Sequence, residues 1–143
     1  QRNYSILNRA IEEDGLKDFA GKNGIGIIAF CLLSQGLLTN KYLNGIPENS
    51  RVKTSGVFLK ESDITPTLQN KLKALNEVAA SRGESLAQMS LAWVLRDSDV
   101  TSVLIGASRP EQIVENCKIV DAKPFTSEEL SKIDQLPTKK YCL

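Results

Sequence analysis

Ser108, Arg109 and Gln112 cluster around Gly106 and Pro110 in the stretch SVLIGASRPEQIVEN, residues 102–116, and together they have the makings of an anion site. A hydroxyl, a guanidinium and an amide all donate hydrogen bonds. Pro110 suits the first position of a helix, where its missing N–H costs nothing and its fixed φ already fits, with Ser108 or Arg109 placed to cap. The free N–H groups of that first turn, and the positive end of the helix dipole, would then face outward from the preceding strand. The apolar run Val103, Leu104, Ile105 predicts that strand, parallel and covered on both faces. A phosphate suits such a place. The same pattern also serves a plain strand-to-helix connection in which Gly106 turns the chain and Ser108 caps, so a second site is needed to decide between them.

Other chemistries are limited by composition. The chain has no histidine, which excludes Ser-His-Asp, Cys-His and His-metal arrangements built from its own residues. Cys31, Cys117 and Cys142 lack metal-ligand spacing and are expected as reduced thiols; Cys31 reads either as a small buried hydrophobe or as part of a functional loop. Eighteen Lys and Arg against seventeen Asp and Glu leave a net charge of +1, which argues against a nucleic-acid face or a membrane-surface face. No apolar run approaches the roughly 18 residues that span a bilayer, and the opening residues do not have a signal-peptide layout. A cytoplasmic protein is expected. The start at Gln1 suggests a segment of something longer.

The elements that would position these groups follow from periodicity and punctuation. A short helix around Leu16, Phe19 and Ala20 stops at Asn23-Gly24, and Ile25 to Phe30 is a second apolar run of strand length. From Cys31 to about Thr65 runs a long connection in which only Leu37 and Leu38 suggest a helical turn; loops of this length in compact domains are usually functional or disordered. Thr65-Pro66 opens a helix whose Leu68, Leu72, Leu75 and Ala79 share one face and which ends at Arg82-Gly83. Ser85 with Gln88 forms a capping box for a nearly all-apolar helix to about Asp97, carrying Met89 and Trp93 as core. Pro110 to Lys118 is helical, and Thr126 with Glu129 caps a last helix through Leu136. The order argues a parallel α/β fold, with Gln1 to Ser5 as the tail of a third strand. Two or three parallel strands cannot close on themselves, so part of the sheet is missing.

Phe30 to Tyr42, FCLLSQGLLTNKY, begins where the first of these runs ends, so its loop leaves from the same carboxyl edge as the anion site, the edge where parallel sheets bind ligands. Here FCLLSQGLLTNKYLNGIPENSR resembles the aldo-keto reductase segment in which an aromatic and Ser-Pro-Leu precede Gly-Leu-Leu-Thr-Gly-Lys-Tyr, and GASRPEQIVEN is similar to that family's second cofactor segment. The resemblance runs from Gln1 to about Leu136 and points to the branch of glyceraldehyde-3-phosphate-type reductases and potassium-channel β subunits. It implies a (β/α)8 barrel of which residues 1–143 are the carboxyl-terminal, cofactor-binding portion: the end of strand six, then strands seven and eight with their flanking helices, incomplete without an amino-terminal half.

By matching positions, the resemblance implies that Gln1 bonds the nicotinamide carboxamide and Phe30 stacks on the nicotinamide ring. Cys31, Leu33, Ser34, Gln35 and Gly36 follow the pyrophosphate, while Lys41 and Arg51 belong to the cofactor-covering segment. Gly106, Ser108, Arg109 and Gln112 form the pocket of the adenosine 2′-phosphate, and Glu115 and Asn116 hold adenine. The implied cofactor is NADP(H). Cys31-Leu32 stands for the family's Ser-Pro, Asn40 for a glycine and Asn49 for an aromatic, which predicts a looser cofactor loop. In the family, hydride passes from the nicotinamide to a carbonyl carbon while a tyrosine, tuned by lysine, aspartate and histidine, donates the proton; all four belong to the amino-terminal half. Tyr4, Tyr42 and Tyr141 do not match that tyrosine, so no catalytic residue is assigned and the isolated chain is expected to be inactive. The alternative is a non-catalytic module, either a channel-β-like regulatory part or a truncated product. The expected partners are a nicotinamide dinucleotide and the missing half-barrel, and a homo-oligomer stays open.

Overall fold

The computed structural model describes residues 1–48, 50–54 and 59–136; the side chains of Arg51 and Thr54, and all of Asn49, Tyr141 and Cys142, lie outside the described set. Three short strands, β1 (Arg2–Asn3), β2 (Ile27–Phe30) and β3 (Val100–Val103), form a parallel sheet in that order. Asn3 pairs with Phe30 and Ala29 with Val103. The ladder continues past the strand ends, where the Tyr4 N–H donates to the Phe30 carbonyl at 3.3 Å and the Leu104 N–H to the Ala29 carbonyl at 2.8 Å. Helices precede and follow: α1 (Ala10–Glu13) and α2 (Leu16–Lys22) between β1 and β2, then α3 (Arg51–Thr54), α4 (Pro66–Arg82) and α5 (Leu86–Val94) before β3, and α6 (Pro110–Cys117) and α7 (Ser127–Asp134) after it. Gly26 lets β2 approach β3 closely, since a Cβ there would lie 2.8 Å from the Thr101 hydroxyl. No described helix is long and apolar enough to cross a membrane.

The long helix forms as its punctuation predicts. The Thr65 hydroxyl accepts the Leu68 N–H at 3.2 Å, Pro66 takes the first position, and Gly83 ends the helix at φ +74°. Its Leu68, Leu72, Leu75 and Ala79 are buried together with Met89, Leu91 and Trp93 of α5 and with Ile27 and Ala29 of β2 in one cluster. Each such leucine contributes about 1.5–3 kcal/mol of burial. Met89 and Trp93 are core, as expected.

Among the described residues, one face of the sheet is covered and the other is not. Along β2, Ile27 and Ala29 are buried while Ile28 between them is 42% exposed. Several sequence expectations change here. Ile25, taken as strand, lies outside β2 and is half exposed. The strand near Val103 covers 100–103, so Leu104 and Ile105 lie beyond it and are exposed instead of buried on both faces, because no element among the described residues packs over them. Helix α5 stops at Val94 and not near Asp97, since the Leu95 and Arg96 N–H groups turn back onto carbonyls at 91–93 and the Asp97 carboxylate takes the Asp99 N–H. The last helix ends at Asp134, before Leu136. Helix α1 has no periodic signal in the sequence, and the described residues of the connection 31–65 hold three 3₁₀ turns (Ser34–Gly36, Asn40–Tyr42, Glu61–Asp63) and α3, not only a turn at Leu37 and Leu38; those two leucines are buried.

Polar clamps tie the helices together. Glu12 receives hydrogen bonds from Tyr4, from Arg9 at 2.6 Å and from Arg96 at 2.9 Å, and both arginines lie over the Trp93 ring. Burial raises the Glu12 pKa, but these donors outweigh it and hold the carboxyl below its ordinary range, while burial pushes the Tyr4 phenol above its own. Lys17 binds Asp97 at 2.8 Å and Asp99 at 2.7 Å, which more than offset burial and raise its pKa. Arg82, almost fully buried, binds Glu84 and Glu129 and stacks on Phe125.

Candidate functional site

A helix that leads into a parallel strand runs antiparallel to it, so its amino end meets the sheet's carboxyl edge. Both α5, which feeds β3, and α6, which leaves it, begin at this edge. Between them and the loop that leaves β2 lies a cleft of about 670 Å³. It is lined by residues 31–36 and 39–42 on one side, by residues of 104–116 on the other, and by Ser85, Ala87 and Leu91 at its back.

The loop after β2 has an unusual backbone. Cys31, Ser34 and Gln35 adopt positive φ of 57°, 47° and 60°, and they are the non-glycine residues that do so among those described. Each such residue costs on the order of 1–3 kcal/mol, and such strain gathers where structure serves a ligand. Internal bonds hold the shape. The Gly36 and Leu38 N–H groups donate to the Leu33 carbonyl, the Thr39 hydroxyl donates to the Gly36 carbonyl at 2.7 Å, and the buried Ser34 hydroxyl lies 3.0 Å from that of Ser5. Gly36, at φ +92° with the Tyr42 ring 3.8 Å from where its Cβ would be, is a position where glycine is needed.

On the facing side Arg109 takes the N-cap position of α6, and no side chain caps the helix, neither Ser108 nor Arg109. Instead the Gln112 amide oxygen accepts the Ser108 N–H at 2.8 Å and its hydroxyl at 3.2 Å, which shapes the loop but occupies donors expected to serve an anion. Gly106 does not supply a left-handed turn; a Cβ there would meet nothing within 4 Å. Arg109 and Lys41, exposed on opposite walls, make no ion pair with a described residue. Glu111 adds a negative charge beside Arg109, and Glu115 is neutralised by Lys118 at 2.6 Å.

The back wall is pinned by one side chain. Gln88 completes the capping box of α5 with Ser85 and donates to both the carbonyl and the carboxylate of Glu115, at 2.9 and 3.2 Å. Asn116, only 7% exposed, lines the cleft, and no described residue bonds its amide.

Of the residues singled out in the sequence, Cys31, Leu33, Ser34, Gln35, Gly36 and Lys41 line one wall and Gly106, Ser108, Arg109, Gln112, Glu115 and Asn116 the other. Cys31 is half-buried and in the loop, not a core hydrophobe. Gln1, exposed beside β1, and Phe30, partly buried at the end of β2, are not in the lining, and the Arg51 side chain is not described. Sequence reasoning missed Thr39, Tyr42, Ser85, Ala87 and Glu111. The capping box at Ser85 was the available signal, because a helix that begins just before a parallel strand must begin at this edge.

Residues 1–137 match the aldo/keto reductase family. The chain is 50% identical over 140 residues to an L-glyceraldehyde 3-phosphate reductase of Escherichia coli O157:H7, covering 94% of this chain and 40% of that protein. It is 36% identical to a putative voltage-gated potassium channel subunit β of Schizosaccharomyces pombe, covering 95% of this chain and 41% of that one. Among solved structures, an aldo-keto reductase from Klebsiella pneumoniae in complex with NADPH superposes with a TM-score of 0.61 at 24% identity, over 96% of this chain and 38% of that chain. The chain therefore spans about two fifths of the length of the relatives it matches.

Proposed function

Because the chain belongs to the aldo/keto reductase family, we propose that it is the NADP(H)-binding portion of a carbonyl reductase and that the cleft at the sheet's carboxyl edge is the cofactor site. The observation that carries this is that the 31–42 and 106–116 segments, far apart in sequence, face each other across one cleft. The donor set suits the group. An uncapped helix start beside Arg109 takes a phosphomonoester, Lys41 takes charge from the opposite wall, and the partnerless Asn116 amide, beside the pinned Glu115, takes the edge of a base. The open space beside Gly106 leaves room for close approach.

When bound, NADPH supplies the hydride. The residues of this chain bind and orient it: Cys31, Leu33, Ser34, Gln35 and Gly36 follow the pyrophosphate, Gly106, Ser108, Arg109 and Gln112 shape the 2′-phosphate pocket, with Arg109 supplying the charge while Gln112 holds the Ser108 donors, Glu115 and Asn116 hold adenine, Gln1 and Phe30 the nicotinamide end, and Lys41 and Arg51 the cover. The proton donor and its tuning groups belong to an amino-terminal half-barrel that also covers Ile28, Leu104 and Ile105, whose exposure suits such a partner. The substrate class is aldehydes and ketones.

The test is a fluorescence titration of residues 1–143 with NADPH and NADH, followed by aldehyde-reduction assays with and without the amino-terminal part of the related glyceraldehyde 3-phosphate reductase. Expected are binding of NADPH, at least tenfold weaker binding of NADH, no turnover by the chain alone and turnover on complementation. Failure to bind NADPH both alone and complemented overturns the proposal.

A further inference from the structure

We propose that Ser5, which does not line the cleft, is a positioning residue that sets the shape of the cofactor loop through Ser34; this rests on the cleft's assignment to NADP(H). Ser5 lies just past β1 in a small turn of its own. It exchanges both backbone hydrogen bonds with Asn8, at 3.0 and 3.1 Å, and its hydroxyl accepts the Asn8 N–H at 3.1 Å. The side chain is thereby fixed before it meets the loop. From this turn the Ser5 hydroxyl lies 3.0 Å from that of Ser34, and both residues are buried, at 0% and 1% exposure.

Ser34 and Gln35 are consecutive left-handed residues, a conformation that side chains rarely adopt and that persists only where surroundings over-determine it. The bonds within the loop, from Gly36 and Leu38 to Leu33 and from Thr39 to Gly36, stitch the loop to itself. The Ser5–Ser34 bond fixes it to the end of a neighbouring strand. Without Ser5, the Ser34 hydroxyl loses its partner in a site closed to water, and the loop relieves that cost by turning Ser34 outward and relaxing the left-handed pair. The cleft wall formed by residues 33–36 then loses its shape although no lining residue has changed.

The experiment uses the 143-residue chain with Ser5→Ala, Ser34→Ala and the double variant, each titrated with NADPH and each followed by amide hydrogen exchange without it. Ser5→Ala is expected to weaken NADPH binding about five- to tenfold, as loss of one buried hydrogen bond implies. It is also expected to speed exchange at Leu37 and Leu38 about tenfold. The double variant should bind no more weakly than Ser34→Ala alone, because both changes remove the same link. A merely structural role for Ser5 would lower the melting temperature without producing that non-additivity. If the wild-type chain does not bind NADPH while exchange at Leu37 and Leu38 still responds to Ser5→Ala but not in the Ser34→Ala background, the cofactor assignment fails and the positioning role stands. If Ser5→Ala leaves affinity and exchange within twofold of wild type, or if the two substitutions multiply, the proposal is overturned. Should Ser5→Ala not fold, Ser5→Cys, of similar volume with a weak donor, takes its place with the same expectations.

Discussion

The helix layer around Trp93 and the cleft at the carboxyl edge are both rich in polar groups, and they treat them in opposite ways. Around Trp93 each charge has a protein partner: Glu12 holds Tyr4, Arg9 and Arg96, and Lys17 lies between Asp97 and Asp99. At the cleft Lys41 and Arg109 have no carboxylate among the described residues, the Asn116 amide has no described partner, and the backbone is strained at Cys31, Ser34 and Gln35. Paired charges fix the fold, although the buried Trp93 Nε1 among them has no hydrogen-bond partner among the described residues, while the cations of the cleft are available to something that arrives later. Local rules are broken where the function is proposed to be.

The two regions should therefore respond differently to substitution. The largest effect on stability is expected from Arg96→Ala, which strips Glu12 and Tyr4 of a buried donor and uncovers the Trp93 ring; a loss of about 2–3 kcal/mol in urea unfolding is expected, with NADPH affinity of the folded protein unchanged. Arg109→Ala should do the reverse, weakening NADPH binding about tenfold or more while stability moves by less than about 0.5 kcal/mol. Equal effects of the two substitutions on both measurements would erase the distinction. Gly36→Ala sits on the boundary: its φ of +92° makes a side chain strained, so about 1–2 kcal/mol of stability and some NADPH affinity should be lost together.

A pH dependence confined to the helix layer does not involve the cleft at all. Burial, and then the Arg9 charge, push the Lys71 pKa down to about 8, against about 10.4 in an unfolded chain. Between those values the unfolded chain binds more protons, so this lysine makes stability rise with pH from about 8 toward 10, and Lys71→Met should flatten the rise. Lys17 does not cancel it, because a raised folded pKa keeps its contribution intact below the unfolded value and loses it only at higher pH. NADPH affinity of wild type and Lys71→Met should be the same at pH 7.

Much of the secondary structure was legible because its signals are local. Thr65-Pro66, Gly83, the Ser85–Gln88 and Thr126–Glu129 boxes each act within four residues, and the helices they bound are found there. The strand boundaries were less so. Val103, Leu104 and Ile105 read as a buried strand because an apolar run records the surroundings a residue is suited to, and among the described residues Leu104 and Ile105 have no cover. The loop was the least legible part, since nothing in Cys31-Leu32-Leu33-Ser34-Gln35 announces three left-handed residues or the hydrogen bonds that hold them.

By itself the sequence determined the parallel α/β order, the caps, the apolar stripe of α4 and the two segments that could serve a phosphorylated dinucleotide, because hydrogen bonds and hydrophobic contacts near in the chain are written in adjacent residues. Only the tertiary structure decided that these segments share one cleft, that Gln112 and not an anion holds the Ser108 donors, and that Ser5 supports Ser34. Those facts depend on contacts between distant residues, whose energies exist only once the strands have brought them within hydrogen-bond reach.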